Sequence, residues 1–123
     1  MWEFSTDRPI YLQLMERLQL RIVNGTYPPG DKFPSVRELA QEASVNPNTV
    51  QKALSELERS GILYTQRTNG RFITEDAAMI DKLRSQLAEE QLVEFLKKMK
   101  EFGFEPKDII TLIQKHSQET ATD

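Results

Sequence analysis

Ser35-Val36-Arg37-Glu38-Leu39-Ala40-Gln41-Glu42-Ala43-Ser44-Val45-Asn46-Pro47-Asn48-Thr49-Val50-Gln51-Lys52-Ala53-Leu54 is the stretch that decides the fold, because it holds two helix starts with almost nothing between them. Ser35 and Glu38 form a Ser-x-x-Glu capping box: the hydroxyl accepts from the backbone N–H of Glu38 and the carboxylate accepts from that of Ser35. Val36, Leu39, Ala40 and Ala43 recur at helical spacing and stop at Ser44-Val45, a gap that leaves room only for a tight turn. Asn46 then suits an N-cap and Pro47 a first helical residue, and Val50, Ala53, Leu54 and Leu57 supply the next stripe until Gly61. Two short helices joined this closely predict a helix-turn-helix.

Working outward, an earlier helix is predicted from about Pro9 to Asn24, with Ile10, Leu14, Leu18 and Ile22 on one face and Gly25 as its left-handed cap. Tyr27-Pro28-Pro29-Gly30-Asp31 reads as a stiff turn. Beyond Gly61 the period shifts toward two in Ile62–Gln66 and Arg71–Thr74, and Asn69-Gly70 suits a type I′ turn, so a β-hairpin is predicted to fold against the third helix as a wing. A long helix follows from about Asp76 to Phe102, stopped by Gly103, and Glu105-Pro106 opens a last short helix carrying Ile109, Ile110, Leu112 and Ile113. Ser117 to Asp123 is polar and expected to fray. The predicted class is mainly α with a small β-hairpin (α+β). A winged helix-turn-helix occupies residues 1–75 and a two-helix dimerisation hairpin residues 76–123.

Composition excludes several functions. The 123 residues leave room for one small domain and an appendage, not for a separate ligand-binding domain. Cysteine is absent, no apolar run is long enough to span a bilayer, and the N-terminus lacks the features of a secretory signal; a cytoplasmic protein is expected. The net charge of −3 looks wrong for a nucleic-acid partner, yet residues 1–75 carry 9 basic and 9 acidic side chains against 7 and 10 in residues 76–123. Ala43 to Ser55 contains no acidic residue, and in Gln66 to Thr74 Arg67 and Arg71 stand unopposed. The local field is what a duplex would meet.

With Val50, Leu54 and Leu57 turned inward, helical steps of about 100° put Asn48, Lys52, Ser55 and Arg59 outward, flanked by Thr49 and Gln51. Amides pair with adenine edges, hydroxyls with base or phosphate, and Lys52 with guanine or phosphate. A solvated outer face is the bland alternative. Arg37, two residues past the capping Ser35, is placed to reach a guanine or phosphate, or else to make a surface ion pair of little worth. The hairpin tip, Arg67-Thr68-Asn69-Gly70-Arg71, brings two cations to a tight turn that suits a minor groove or its phosphates; a solubilised edge would look the same. About 27 residues of C-terminal helix reach roughly 40 Å, further than so small a domain can cover, which favours a two-fold dimer. Trp2 and Phe4 are expected in a local core contact, with a dimer contact as the alternative.

The chain resembles the GntR family of bacterial regulators through Ile10–Leu14, Gly25–Ala40 and Val45–Leu54. Its short helical tail is similar to that of the YtrA-like subfamily. The resemblance implies a winged helix-turn-helix repressor that binds a palindromic operator as a homodimer, often beside a transporter operon. By position it implies that Arg37 is a DNA-contacting arginine, that Asn48, Thr49 and Gln51 lie on the recognition helix, and that Gly70 is the wing glycine. The DNA-binding set is therefore Ser35, Arg37, Asn48, Thr49, Gln51, Lys52, Arg67, Asn69, Gly70 and Arg71. Two departures stand out: Pro47 where the family often has a basic residue, and Thr68 where it commonly has glycine.

Two rival functions compete with this reading. An enzyme lacks parts, since His116 is the sole histidine, there is no cysteine, and Glu89 and Glu90 are adjacent on a helix and diverge. No catalytic residue, cofactor or metal is expected. A winged-helix module that binds protein through its C-terminal helices is the second rival. A cleft between wing and tail could hold an effector, but no residue cluster marks one, so a small-molecule partner stays unknown.

Overall fold

The computed structural model describes residues 2–121. They divide into two compact units, Met1–Arg84 and Ser85–Asp123. In the first, α1 (Ile10–Val23) buries Leu14, Leu18 and Ile22 of the predicted stripe together with Val23, while Ile10 at the start of the helix is half-buried. The capping box forms as expected and starts α2 (Val36–Ala43): the Glu38 N–H donates to Ser35 Oγ at 3.1 Å and the Ser35 N–H to Glu38 Oε1 at 3.2 Å. Asn46 caps α3 (Pro47–Arg59) by accepting from the Asn48 N–H at 2.8 Å. Val50, Ala53 and Leu54 are fully buried and α3 packs on both α1 and α2, so α3 stands on the core itself. Ser44 makes the turn between α2 and α3 in the left-handed region, at φ 54°.

Strands β1 (Leu63–Gln66) and β2 (Gly70–Ile73) pair antiparallel, Leu63 opposite Ile73 and Gln66 opposite Gly70. The turn differs from the predicted Asn69-Gly70 type I′ pair. Three residues, Arg67 to Asn69, lie between the paired ends, and positive φ falls at Thr68 (61°) and Gly70 (96°). Burial decides this register. A two-residue loop would shift the pairing by an odd step and separate Leu63 and Ile73, which are 1% and 0% exposed.

The segment after the prolines does more than turn. Phe33 N donates to Arg71 O at 2.8 Å, Ile73 N to Asp31 O at 3.0 Å and Gly30 N to Ile73 O at 2.9 Å, so residues 30–33 lie along β2 as a short third edge. Trp2 and Phe4 find a local home: the rings stack at 6.1 Å and the Arg21 guanidinium sits 4.4 Å above the indole. The first unit ends after the opening turns of α4 (Ala77–Glu101), where Ile80 is buried and Arg84 Nη2 donates to Val23 O at 2.9 Å.

The second unit holds the rest of α4 and α5 (Pro106–Ala121). Gly103, at φ 89°, lets the chain leave α4, and the Phe104 N–H closes the end on Met99 O at 3.2 Å. The last helix is longer than expected. Helical geometry runs through the polar stretch from Ser117 to Ala121 that its composition predicts to fray, while Thr122 and Asp123 fall outside the described residues. Ile109 is buried, but Leu92, Val93, Phe102 and Ile110 are about half or more exposed.

Candidate nucleic-acid interface

The outer side of α3 is polar along its length. Asn48, Gln51, Lys52, Ser55 and Arg59 are exposed and Thr49 is half-buried, while the opposite side is the core. Gln51 Nε2 donates to Ser55 Oγ at 3.2 Å, which holds the amide against the helix without burying it. The Lys52 ammonium rests 3.9 Å from the centre of the Tyr11 ring, a contact worth about 0.5–1 kcal/mol at an exposed site and easily surrendered to a phosphate.

Arg37 is exposed on α2, and none of the ion pairs among the described residues includes it. The surface ion pair weighed as its alternative is not formed. Ser35, by contrast, is engaged as the cap of α2, where its hydroxyl already accepts from Glu38. The backbone N–H of Ser35, followed by its hydroxyl, holds the Glu38 carboxyl below the usual carboxylate range.

In the wing, Arg67 and Asn69 are exposed at the tip. A Cβ added to Gly70 would sit 3.3 Å from Lys32 Cε, so its positive φ and this close approach both favour glycine. Arg71 does not point free. Its guanidinium pairs with Glu58 of α3, which also accepts from Thr65 Oγ1 at 2.7 Å. One carboxylate thus ties the recognition helix to both wing strands. The Thr65 hydroxyl, and then Arg71, depress the Glu58 carboxyl against the opposing effect of burial.

Lys32 was missed by sequence reasoning. It pairs across from Phe72 and lines, with Ser35, Thr65, Asn69 and Gly70, a cleft of about 390 Å³ between the start of α2 and the wing. Its only signal was a cation just before Phe33-Pro34, and nothing local shows that the segment lies along β2.

A core-seated helix with an outward polar face, a capped helix before it and a basic-tipped hairpin after it define a winged helix-turn-helix DNA-binding module. The pattern of "Bacterial regulatory proteins, gntR family" matches residues 10–73. The chain belongs to the GntR family and is a transcriptional regulator, not an enzyme. It is 44% identical over 108 residues to the uncharacterized HTH-type transcriptional regulator YhcF of Bacillus subtilis, covering 88% of this chain and 89% of that one. It is 49% identical over 72 residues to the HTH-type transcriptional repressor YtrA of the same organism, over 58% of this chain and 55% of that one. Among solved structures, a GntR family regulator from Listeria monocytogenes superposes with a TM-score of 0.84 at 40% identity, covering 91% of this chain and 98% of that one. The DNA-binding domain of AraR in complex with operator ORX1 superposes with a TM-score of 0.56 at 29% identity, over 60% and 95% of the two chains.

Proposed function

We propose that the protein is a repressor that binds a palindromic operator as a homodimer and controls genes close to its own, a transporter operon among them. The carrying observation is the unpaired Arg37 beside the polar outer face of α3. Direct contacts are assigned to Arg37, Asn48, Thr49, Gln51, Lys52, Arg67 and Asn69, with Lys32 added from the cleft. Ser35 and Gly70 shape the surface through backbone geometry, and Arg71 acts through Glu58. The similarity to a named repressor supports the sign of regulation, and a chromosomal operator implies a cytoplasmic protein; among the described residues no helix is long and apolar enough to cross a membrane.

Dimerisation rests on the second unit. Phe102 is 77% exposed and Ile110 56%, and Leu92, Val93, Phe95 and Ile113 add to an apolar surface that a second copy would remove from water. Residues 1–75 are the reading part and 76–123 the pairing part in this scheme.

Selection from randomised duplexes tests the proposal. The expected product is an inverted repeat bound with steep salt dependence. Lys32, Arg37, Lys52 and Arg67 of two protomers, each neutralising a phosphate, give log K against log salt a slope of about −7. A salt-insensitive interaction, or no enriched duplex, would favour the protein-binding alternative.

A further inference from the structure

Beside Arg37 lies an apolar groove that the contact set above does not use. Val36, Arg37, Ala40 and Gln41 of α2 line it with Val45 and Pro47, and it is a shallow depression of about 500 Å³, open to solvent over most of its extent. Arg37 and Gln41 are exposed at its rim, Val36, Ala40 and Val45 are half-buried, and Pro47 is exposed one residue before Asn48. The groove therefore opens between the arginine assigned to the duplex and the first residue of the recognition helix.

We propose that this groove is a subsite for a thymine 5-methyl group, adjacent to the guanine or phosphate that Arg37 holds. The inference rests on the DNA reading and deepens it by naming a base. In the major groove thymine alone among the four bases presents a methyl, and apolar side chains are its natural partners. Three features favour this occupant over water or a polar edge. The walls are hydrocarbon from Val36, Ala40, Val45 and Pro47; a proline at the first helical position has no N–H to donate; and the rim cation attracts the polyanion that carries the methyl. Pro47, lining the groove at the first position of α3, is thus a specificity-determining residue for that base.

The test uses the full-length protein and the duplex obtained by selection. Each dT of one half-site is replaced in turn by dU, which removes only the methyl group. One position is expected to raise Kd about fourfold, the roughly 0.8 kcal/mol of one buried carbon converted at about 1.4 kcal/mol per tenfold. The same replacement should matter less than about 1.5-fold in Pro47→Ala. Val36→Thr, which keeps shape and places a hydroxyl on the wall, serves as the second variant if Pro47→Ala fails to fold by circular dichroism. The subsite is overturned if no dU replacement weakens binding, or if the penalty persists undiminished in the folded variants, while Arg37→Ala and salt still abolish binding; the DNA reading then stands alone. Failure to select any duplex would sink both.

Discussion

Glu58 is the carboxylate on which the placement of the wing turns, and its removal gives the sharpest check on the structure. Its side chain is 31% exposed and that of Arg71 20%, so the pair is neither free in water nor fully desolvated. Exposed pairs contribute about 0–1 kcal/mol, and hydrogen bonds to charged groups about 1.5–3 kcal/mol. Intermediate burial places the coupling between Glu58 and Arg71 at about 1–2 kcal/mol. A double-mutant cycle of Glu58→Gln and Arg71→Gln, read by urea unfolding at pH 7, measures that term. The pH dependence follows from the depressed carboxyl. A lowered folded-state pKa means that the contribution is present above the unfolded value of about 4.3 and is lost as pH falls through the folded value. The stability gap between wild type and Glu58→Gln should thus be flat above about pH 5.5 and shrink in more acid solution. A coupling below about 0.3 kcal/mol, or a gap that widens on acidification, would refute the role given to Glu58 in holding the wing.

Arg37→Ala is expected to weaken operator binding about tenfold or more with an unchanged circular dichroism spectrum, since among the described residues Arg37 makes no ion pair whose loss could disturb the fold; equal binding would remove it from the interface. Leu54 is 0% exposed at the centre of α3, so Leu54→Ala should cost about 2–5 kcal/mol in urea unfolding, and a loss below about 1 kcal/mol would show that the recognition helix does not stand on the core. Thr68 holds φ 61°, a conformation costly to a β-branched residue, so Thr68→Gly should raise stability by about 0.5–1 kcal/mol, and a fall would contradict the turn. Sedimentation at micromolar concentration should give about twice 14.2 kDa for the native chain and a single copy for Leu92→Glu/Phe102→Glu with the N-terminal unit still folded; a native monomer would end the dimer argument.

What the sequence disclosed is what is encoded within a helical turn. The Ser35–Glu38 box, the Asn46 cap and the stripes of α1 and α3 join residues two to four apart, so spacing alone fixes their geometry. The candidate face on α3 was legible for the same reason: once Val50, Leu54 and Leu57 face inward, the outward set has no freedom left. Contacts between distant segments were not. The pairing of residues 30–33 with β2, and hence the place of Lys32, depends on a register that Asn69-Gly70 suggested wrongly because turn chemistry lost to the burial of Leu63 and Ile73. Glu58 and Arg71 lie 13 residues apart on a helix and a strand, and no local pattern links them.

That last pair also explains how a chain of net charge −3 can present a face fit for DNA. In the first unit Glu16 pairs with Arg8, Glu42 with Arg21 and Glu58 with Arg71, so each of these acids cancels a cation close beside it and contributes little field at a distance. Glu38 belongs to the cap. Lys32, Arg37, Lys52 and Arg67 make no ion pair among the described residues, although Lys32 acts on the Glu38 carboxyl through space, and Lys32, Arg37 and Lys52 line the wing cleft, the groove on α2 and the outer side of α3 respectively. The acids that remain in excess belong to residues 76–123, the pairing part of the proposed dimer. Charge counted over the chain therefore averages two surfaces with different composition, and the local balance of charge, not the total, sets the potential at the proposed interface.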